Sequence, residues 1–291
     1  MLRGMRLEVR SIRKLFVFAA VILTALSIFT LAGCDKRVRT TVVTVGDGDS
    51  ITVRALKSSV RLIGIDAPEI RAGSKPVGEY ALEAQRFLEG LVIDANSKVA
   101  LEVHGTDSYG RHLAYVYLPD GRMLNLELLK HGLARPLTYD DTSHHSRDMK
   151  VAYLEAFERR LGIFSQYNSR QVFSASVVRE NLQPLAVGGF LGRIVWMEFY
   201  VTDVSGLSIS GRDAVARIRK EEFDLFAPAG FSLEEFYRKT VQVFGEVWRD
   251  SSGKALILLR DPTIEIAASV ISAEGNRSSI NADICEFCYT F

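Results

Sequence analysis

Four short segments in the first half of the chain gather carboxylates and guanidiniums at turns and strand ends. Asp47-Gly48-Asp49-Ser50 puts two acids on a tight turn ahead of a β-rich run. Arg61 stands inside the otherwise apolar Val60-Arg61-Leu62-Ile63-Gly64-Ile65, which closes on Asp66-Ala67-Pro68-Glu69. Asp107-Ser108-Tyr109-Gly110-Arg111 carries a second arginine into a further strand. Two or more carboxylate oxygens and a carbonyl make a hard-cation site, suited to Ca²⁺ more than to Zn²⁺. A calcium-binding helix–loop–helix is excluded, because a loop begun at Asp47 would need Glu where Ser58 stands. Two guanidiniums can grip a phosphate bidentately. Displacement at a phosphodiester needs these parts: a metal, cations for developing charge, and a base to position water. Taken singly, each residue reads as ordinary: a turn aspartate, an arginine snorkelling at a strand edge, a charge at a helix start. Their joint order carries the chemistry.

The elements that must position these groups are strands followed by helices. β-rich runs cover 41–45, 50–54, 60–65, 99–103 and 113–118, broken by Gly and Asp turns. Helical spacing of apolar residues covers 78–93, 124–130 and 146–161, with Gly132 suited to end the second helix. Five short strands with three helices predict a mainly β fold built on an OB-fold barrel over 35–167. Residues 168–186 lack periodicity and read as a linker. A second unit, 187–270, repeats the style, with strands at 191–201, 214–219, 241–248, 255–259 and 264–266. Its helix starts at Ser232 as N-cap, with Phe231 able to staple to Phe236. These features predict a second small OB-like β-barrel, with Trp196 and Trp248 as packing residues, followed by a tail over 271–291. No acidic or histidine cluster marks this unit for chemistry.

The order Asp-Gly-Asp-Ser, Arg-Leu-Ile-Gly-Ile-Asp-Ala-Pro-Glu and Thr106-Asp107-Ser108-Tyr109-Gly110-Arg111-His112-Leu113-Ala114-Tyr115 resembles the staphylococcal nuclease (thermonuclease) family. Gly121 to Asn125, Leu128-Leu129, Gly132-Leu133-Ala134 and Leu161 to Ser165 extend the resemblance, which spans 40–167. The resemblance implies hydrolysis of DNA and RNA with little sequence preference, with the bond to the 5′ oxygen broken. It implies Asp49, Asp66 and the Ala67 carbonyl as Ca²⁺ ligands, with Asp47 shaping the turn behind them. Glu69 would act through water as general base, while Arg61 and Arg111 would hold the scissile phosphate. Ala67 stands where the family commonly has threonine, and stacking tyrosines have no clear match near Pro136-Leu137-Thr138-Tyr139. His144-His145 reads as a solvated pair in a polar loop, with a metal contact as the alternative. The rival to catalysis is a nuclease-like scaffold that binds nucleic acid or a partner without cutting.

The amino end addresses the chain to an envelope. Arg13-Lys14 precedes 19 uncharged residues, 15–33, that end in Leu31-Ala32-Gly33-Cys34. A basic region, an apolar run and small residues make an export signal, and the four-residue close resembles the bacterial lipoprotein cleavage box. Cys34 would then be lipidated, anchoring the chain at a membrane outside the cytoplasm. Asp35 resembles the signal for retention on the periplasmic side of an inner membrane. A permanent membrane helix over the same residues and a cleaved secretory signal are the alternatives. Composition agrees with a folded body: 47% apolar, 24% charged, 291 residues. The formal charge of +1 conceals +4 within residues 1–33, so the remainder carries −3. Any grip on nucleic acid must come from local arginines, because a global positive field is absent. Cys285 and Cys288 are too few for a zinc site and read as a disulfide or as two inert thiols.

Overall fold

Alternation of apolar and polar residues in β1 (Val38–Val45) and β2 (Ser50–Val53) turns Val42, Ile51 and Val53 inward. β3 (Val60–Leu62), β5 (Lys98–Thr106) and β6 (His112–Tyr117) complete a closed barrel in the order β1-β2-β3-β6-β5. The computed structural model describes residues 37–70, 77–139 and 144–268. Cys34, Cys285 and Cys288, with the calls made on them, lie outside the described residues.

Closure leaves the barrel no free edge. It also sets Arg61 opposite Ser50 on one side and Leu113 on the other. β4 (Gly64–Asp66) leaves the barrel and pairs with β7 (Arg135–Leu137), which brings Asp66 opposite Arg135. Three helices cover the barrel as expected: α1 (Ala81–Asp94), α2 (Leu124–Lys130) and α3 (Ser146–Glu158). α1 buries Ala81, Ala84, Leu88, Leu91 and Val92, spaced to make one face. Asn125 of α2 is fully buried and fully used. Its Oδ1 accepts from Val116 N at 3.0 Å, and its Nδ2 donates to Ile63 O at 2.8 Å. That amide fixes the chain where β3 passes into β4, just ahead of Asp66.

The second half departs from the small barrel expected of it. β8 (Val172–Ser174), β9 (Ile194–Tyr200), β10 (Asp203–Ser205), β11 (Ser208–Ser210), β12 (Ala214–Ile218), β13 (Thr240–Arg249) and β14 (Ala255–Leu259) form a sheet ordered β10-β11-β12-β14-β13-β9-β8. The eighth strand, β15 (Ile266–Ala268), pairs with β13 off this path. β12 runs parallel to β14 and β8 parallel to β9, and β10 and β8 stand at the two ends of the path without pairing each other. α4 (Ala175–Glu180), α5 (Lys220–Phe226) and α6 (Pro262–Glu265) accompany it. The helix expected after Ser232 is a single 3₁₀ turn, Leu233–Phe236, with the Ser232 hydroxyl accepting from Glu234 N as its cap.

The stretch 168–186 is not a linker. β8 and α4 occupy it, and both are built into the second sheet's packing. From Val38 on, the described residues form one compact unit. Ile194, Trp196, Phe226 and Phe244 from the second half join the barrel's own core cluster. Trp196 donates its indole N–H to Tyr167 O at 2.9 Å, which confirms it as a packing residue. Buried charges seal the same boundary. Arg170 meets Glu79 at 2.9 Å, Arg135 meets Glu265 at 2.6 Å, and Glu222 accepts from Thr138 N at 2.9 Å.

Candidate active site

The turn after β1 is held by its own acids. Asp47 Oδ1 accepts from the Ser50 hydroxyl at 2.5 Å and from Asp49 N at 3.4 Å. Gly48 is required there, because a Cβ on it would lie 2.6 Å from the Cβ atoms of both Ala67 and Ala84. The bare turn therefore lies flat on Ala67, and the Asp49 carboxylate accepts from Ala67 N at 2.7 Å through Oδ2. Two segments eighteen residues apart are joined by that bond.

Arg61 lies between the two carboxylates. Its Nη1 contacts Asp49 Oδ2, while its Nη2 donates to Asp66 Oδ1 at 3.2 Å and to Ile65 O at 3.2 Å. Asp49 is buried, whereas the Asp66 side chain is 35% exposed and opens the cluster to solvent. Asp49, Arg61, Asp66 and Ala67 are thus brought together. Glu69 follows three residues after Asp66, half-buried, with its carbonyl accepting from Gly78 N at 2.8 Å.

Arg111 enters from the β5–β6 loop, two residues before Leu113, the partner of Arg61 across the parallel pair β3–β6. Its Nε donates to Asp107 Oδ2 at 2.7 Å, and Asp107 Oδ1 accepts from the backbone N of Tyr109 and of Arg111, each at 2.9 Å. Burial works against ionisation of Asp107, but the Arg111 guanidinium and these N–H groups hold its carboxyl below the usual range. The Tyr109 ring is 85% exposed, with the Arg111 guanidinium 5.6 Å from its centroid. Tyr139 is covered by Arg219, whose guanidinium stands 4.5 Å from the ring centroid.

Residues of the second half reach this site, which the sequence reading did not foresee. Arg260, buried, extends Nη2 to 3.5 Å from Asp66 Oδ2. Glu246 of β13 is half-buried near Pro68, and its buried Oε1 has no hydrogen-bond partner among the described residues. Burial pushes its carboxyl up to about 8, Asp66 and Glu69 add to the rise, and Arg135 and Arg260 oppose it. The signal available in sequence was Arg260-Asp261-Pro262 directly after an apolar strand, a charged pair where the run stops.

A closed five-stranded barrel under α1, α2 and α3, with acids and an arginine gathered on its strand ends, defines an OB-fold protein bearing a polar, charged site. A family model for staphylococcal nuclease homologues matches residues 59–166. Thermonuclease of Staphylococcus intermedius is 34% identical over 122 residues, which cover 41% of this chain and 72% of that protein. Thermonuclease of Staphylococcus hyicus is 30% identical over 161 residues, 52% of this chain and 95% of that protein. Endonuclease YncB of Bacillus subtilis is 34% identical over 126 residues, 41% of this chain and 58% of that protein. The chain belongs to the staphylococcal nuclease family.

Proposed function

We propose that the protein is a Ca²⁺-dependent nuclease that cuts phosphodiester bonds in DNA and RNA with little sequence preference. Its place of work is the cell envelope, outside the cytoplasm, on a lipid anchor at Cys34. The observation that carries the chemistry is the Arg61 guanidinium set between Asp49 and Asp66. Both carboxylates approach that one guanidinium, so Asp49 and Asp66 lie in a single cluster beside the Ala67 backbone. The donors there are oxygen only, which fits Ca²⁺. Asp49, Asp66 and the Ala67 carbonyl would hold the ion. When bound, it supplies positive charge against the charge developing on a phosphoryl oxygen.

The remaining roles belong to the chain. Arg61 and Arg111 donate N–H bonds to the non-bridging oxygens, which gain charge as phosphorus becomes five-coordinate. Glu69 accepts a proton from the attacking water, directing its oxygen at phosphorus. The new P–O bond forms as the bond to the 5′ oxygen breaks, and that oxygen leaves as a hydroxyl with a proton from solvent water. Asp107 keeps Arg111 pointed by bonding its Nε, which leaves the two terminal nitrogens for phosphate. Tyr109, exposed beside Arg111, offers a face on which a base can stack, a contact that tolerates any sequence. The thermonuclease and endonuclease relatives support this reading.

Digestion of single-stranded DNA and of RNA by the purified full-length protein, with Ca²⁺ or with a chelator, tests the proposal. Cutting that requires Ca²⁺ is the expected result. DNA binding without cutting in either condition would favour the non-catalytic scaffold instead. Replacing Cys34 with Ser is expected to leave an unprocessed, unacylated precursor, and normal processing of that variant would overturn the lipid anchor.

A further inference from the structure

The histidine pair expected to be solvated in a loop is instead packed against the barrel. Glu102 and His104 lie on β5, and Tyr117 lies on the adjacent β6. His144 and His145 come in at the start of α3. His104 Nε2 is 3.0 Å from Glu102 Oε1, and His144 Nε2 is 3.3 Å from the same oxygen. Tyr117 donates to Glu102 Oε2 at 3.1 Å, and its hydroxyl is 3.3 Å from His145 Nε2. One donor atom from each of Glu102, His144 and His145 lies within 4.8 Å of the others.

The 3.3 Å between His144 Nε2 and Glu102 Oε1 is the separation of two ligand atoms on one ion. Ligand atoms at the corners of a tetrahedron stand about 3.3 Å apart when each bond to the centre is about 2.0 Å. The imidazoles are also held in place. The Tyr115 ring meets His104, His144 and His145 edge-on, with centroid distances of 5.2, 4.9 and 4.6 Å. His145 Nδ1 lies 3.3 Å from Asp148 Oδ2, so a carboxylate fixes one ring nitrogen while the other, Nε2, faces the cluster. That is the outer-sphere arrangement that orients metal-bound histidines. His144 is exposed, which leaves a path from solvent.

Beyond these hydrogen bonds the imidazoles are crowded, with His144 and His145 centroids 4.5 Å apart and His104 and His144 centroids 5.0 Å apart.

We propose that Glu102, His144 and His145 form a binding site for a borderline transition-metal ion of the Zn²⁺ class, with solvent completing the coordination. Its nitrogen-rich donor set differs from the all-oxygen set of Asp49, Asp66 and Ala67, so the two sites select different ions. The ion would tie the start of α3 to β5. This proposal does not depend on the nuclease reading.

Co²⁺ and Zn²⁺ titrated into the metal-stripped full-length protein test it. Co²⁺ is expected to give the intense visible absorption of a tetrahedral site at one equivalent, bleached by Zn²⁺ and untouched by Ca²⁺. Zn²⁺ is expected to raise the melting temperature. The double variant His144→Gln, His145→Gln should lose the absorption and the melting shift while melting normally without metal. Asp148→Asn, at an exposed position, should weaken binding by about tenfold or more. Absence of the Co²⁺ signal in the unaltered protein would overturn the proposal, and so would Zn²⁺ affinity unchanged in both variants.

Discussion

Arg260 and Asp66 stand 194 residues apart in sequence, yet the Arg260 guanidinium lies 3.5 Å from the Asp66 carboxylate, on the oxygen not taken by Arg61. The second sheet therefore reaches the proposed Ca²⁺ site. Asp66 is held between two arginines, one from β3 and one from the segment after β14.

Arg260→Met leaves Asp66 and the neighbouring Glu265 without that cation. Stability should fall by about 2 kcal/mol, the size of a hydrogen bond to a charged group. Urea unfolding checks this. Arg260→Lys should recover part of the loss, and an unchanged midpoint in the Met variant would show the contact to be idle.

Glu265 is a stronger joint between the halves. It is fully buried, with Oε1 accepting from Arg135 at 2.6 Å and from the Tyr153 hydroxyl at 2.7 Å, while Oε2 accepts from the backbone N–H groups of Arg260 and Asp261. Burial opposes the charge on Arg135, and Glu265 beside it keeps that guanidinium protonated. Glu265→Gln strips a buried cation of its counter-ion and should cost about 3–5 kcal/mol. By the same logic, residues 35–167 alone would expose the face of Phe164 and Tyr167 that Trp196 and Phe244 cover. That fragment should unfold at lower urea than the full chain, and equal midpoints would contradict a shared core.

Glu246 gives the fold a pH dependence whose direction is set. Below about 4.5, its ordinary value, folded and unfolded chains both hold the proton. Between there and about 8 only the folded chain does, so rising pH favours unfolding over that window. Above about 8 this group adds no further slope. Glu246→Gln should therefore flatten the decline between pH 5 and 8 in a urea-midpoint series. A slope equal to that of the unaltered protein would remove Glu246 as its source.

Much of the barrel was legible because its signals are local. Alternation marked β1 and β2, helical spacing marked α1 to α3, and Asp47 to Ser50 announced a tight turn. The convergence of Asp49, Arg61 and Asp66 followed from family resemblance, since nothing in the spacing alone brings them together. The join between the halves was not legible. Arg135 and Glu265, or Glu79 and Arg170, pair across 130 and 91 residues, and each reads in sequence as an ordinary surface charge. The stretch 168–186 passed for a linker because a three-residue strand and a six-residue helix are too short to show periodicity. The open second sheet escaped notice for a related reason: strand patterns do not reveal that β12 pairs in parallel with β14 across an intervening β13. His144-His145 looked solvated because Glu102 and Tyr117, which receive the pair, lie on distant strands.

Glu69→Gln is the most direct test of the site. The change keeps the side chain's size and removes only its capacity to take a proton from water. In Ca²⁺, cutting of single-stranded DNA should fall by a factor of about 10² or more, the usual scale of general-base catalysis, while DNA binding and melting temperature match those of the unaltered protein. Cutting that persists at the original rate, with folding and binding unchanged, would contradict the role given to Glu69 and with it the chemistry assigned to this cluster.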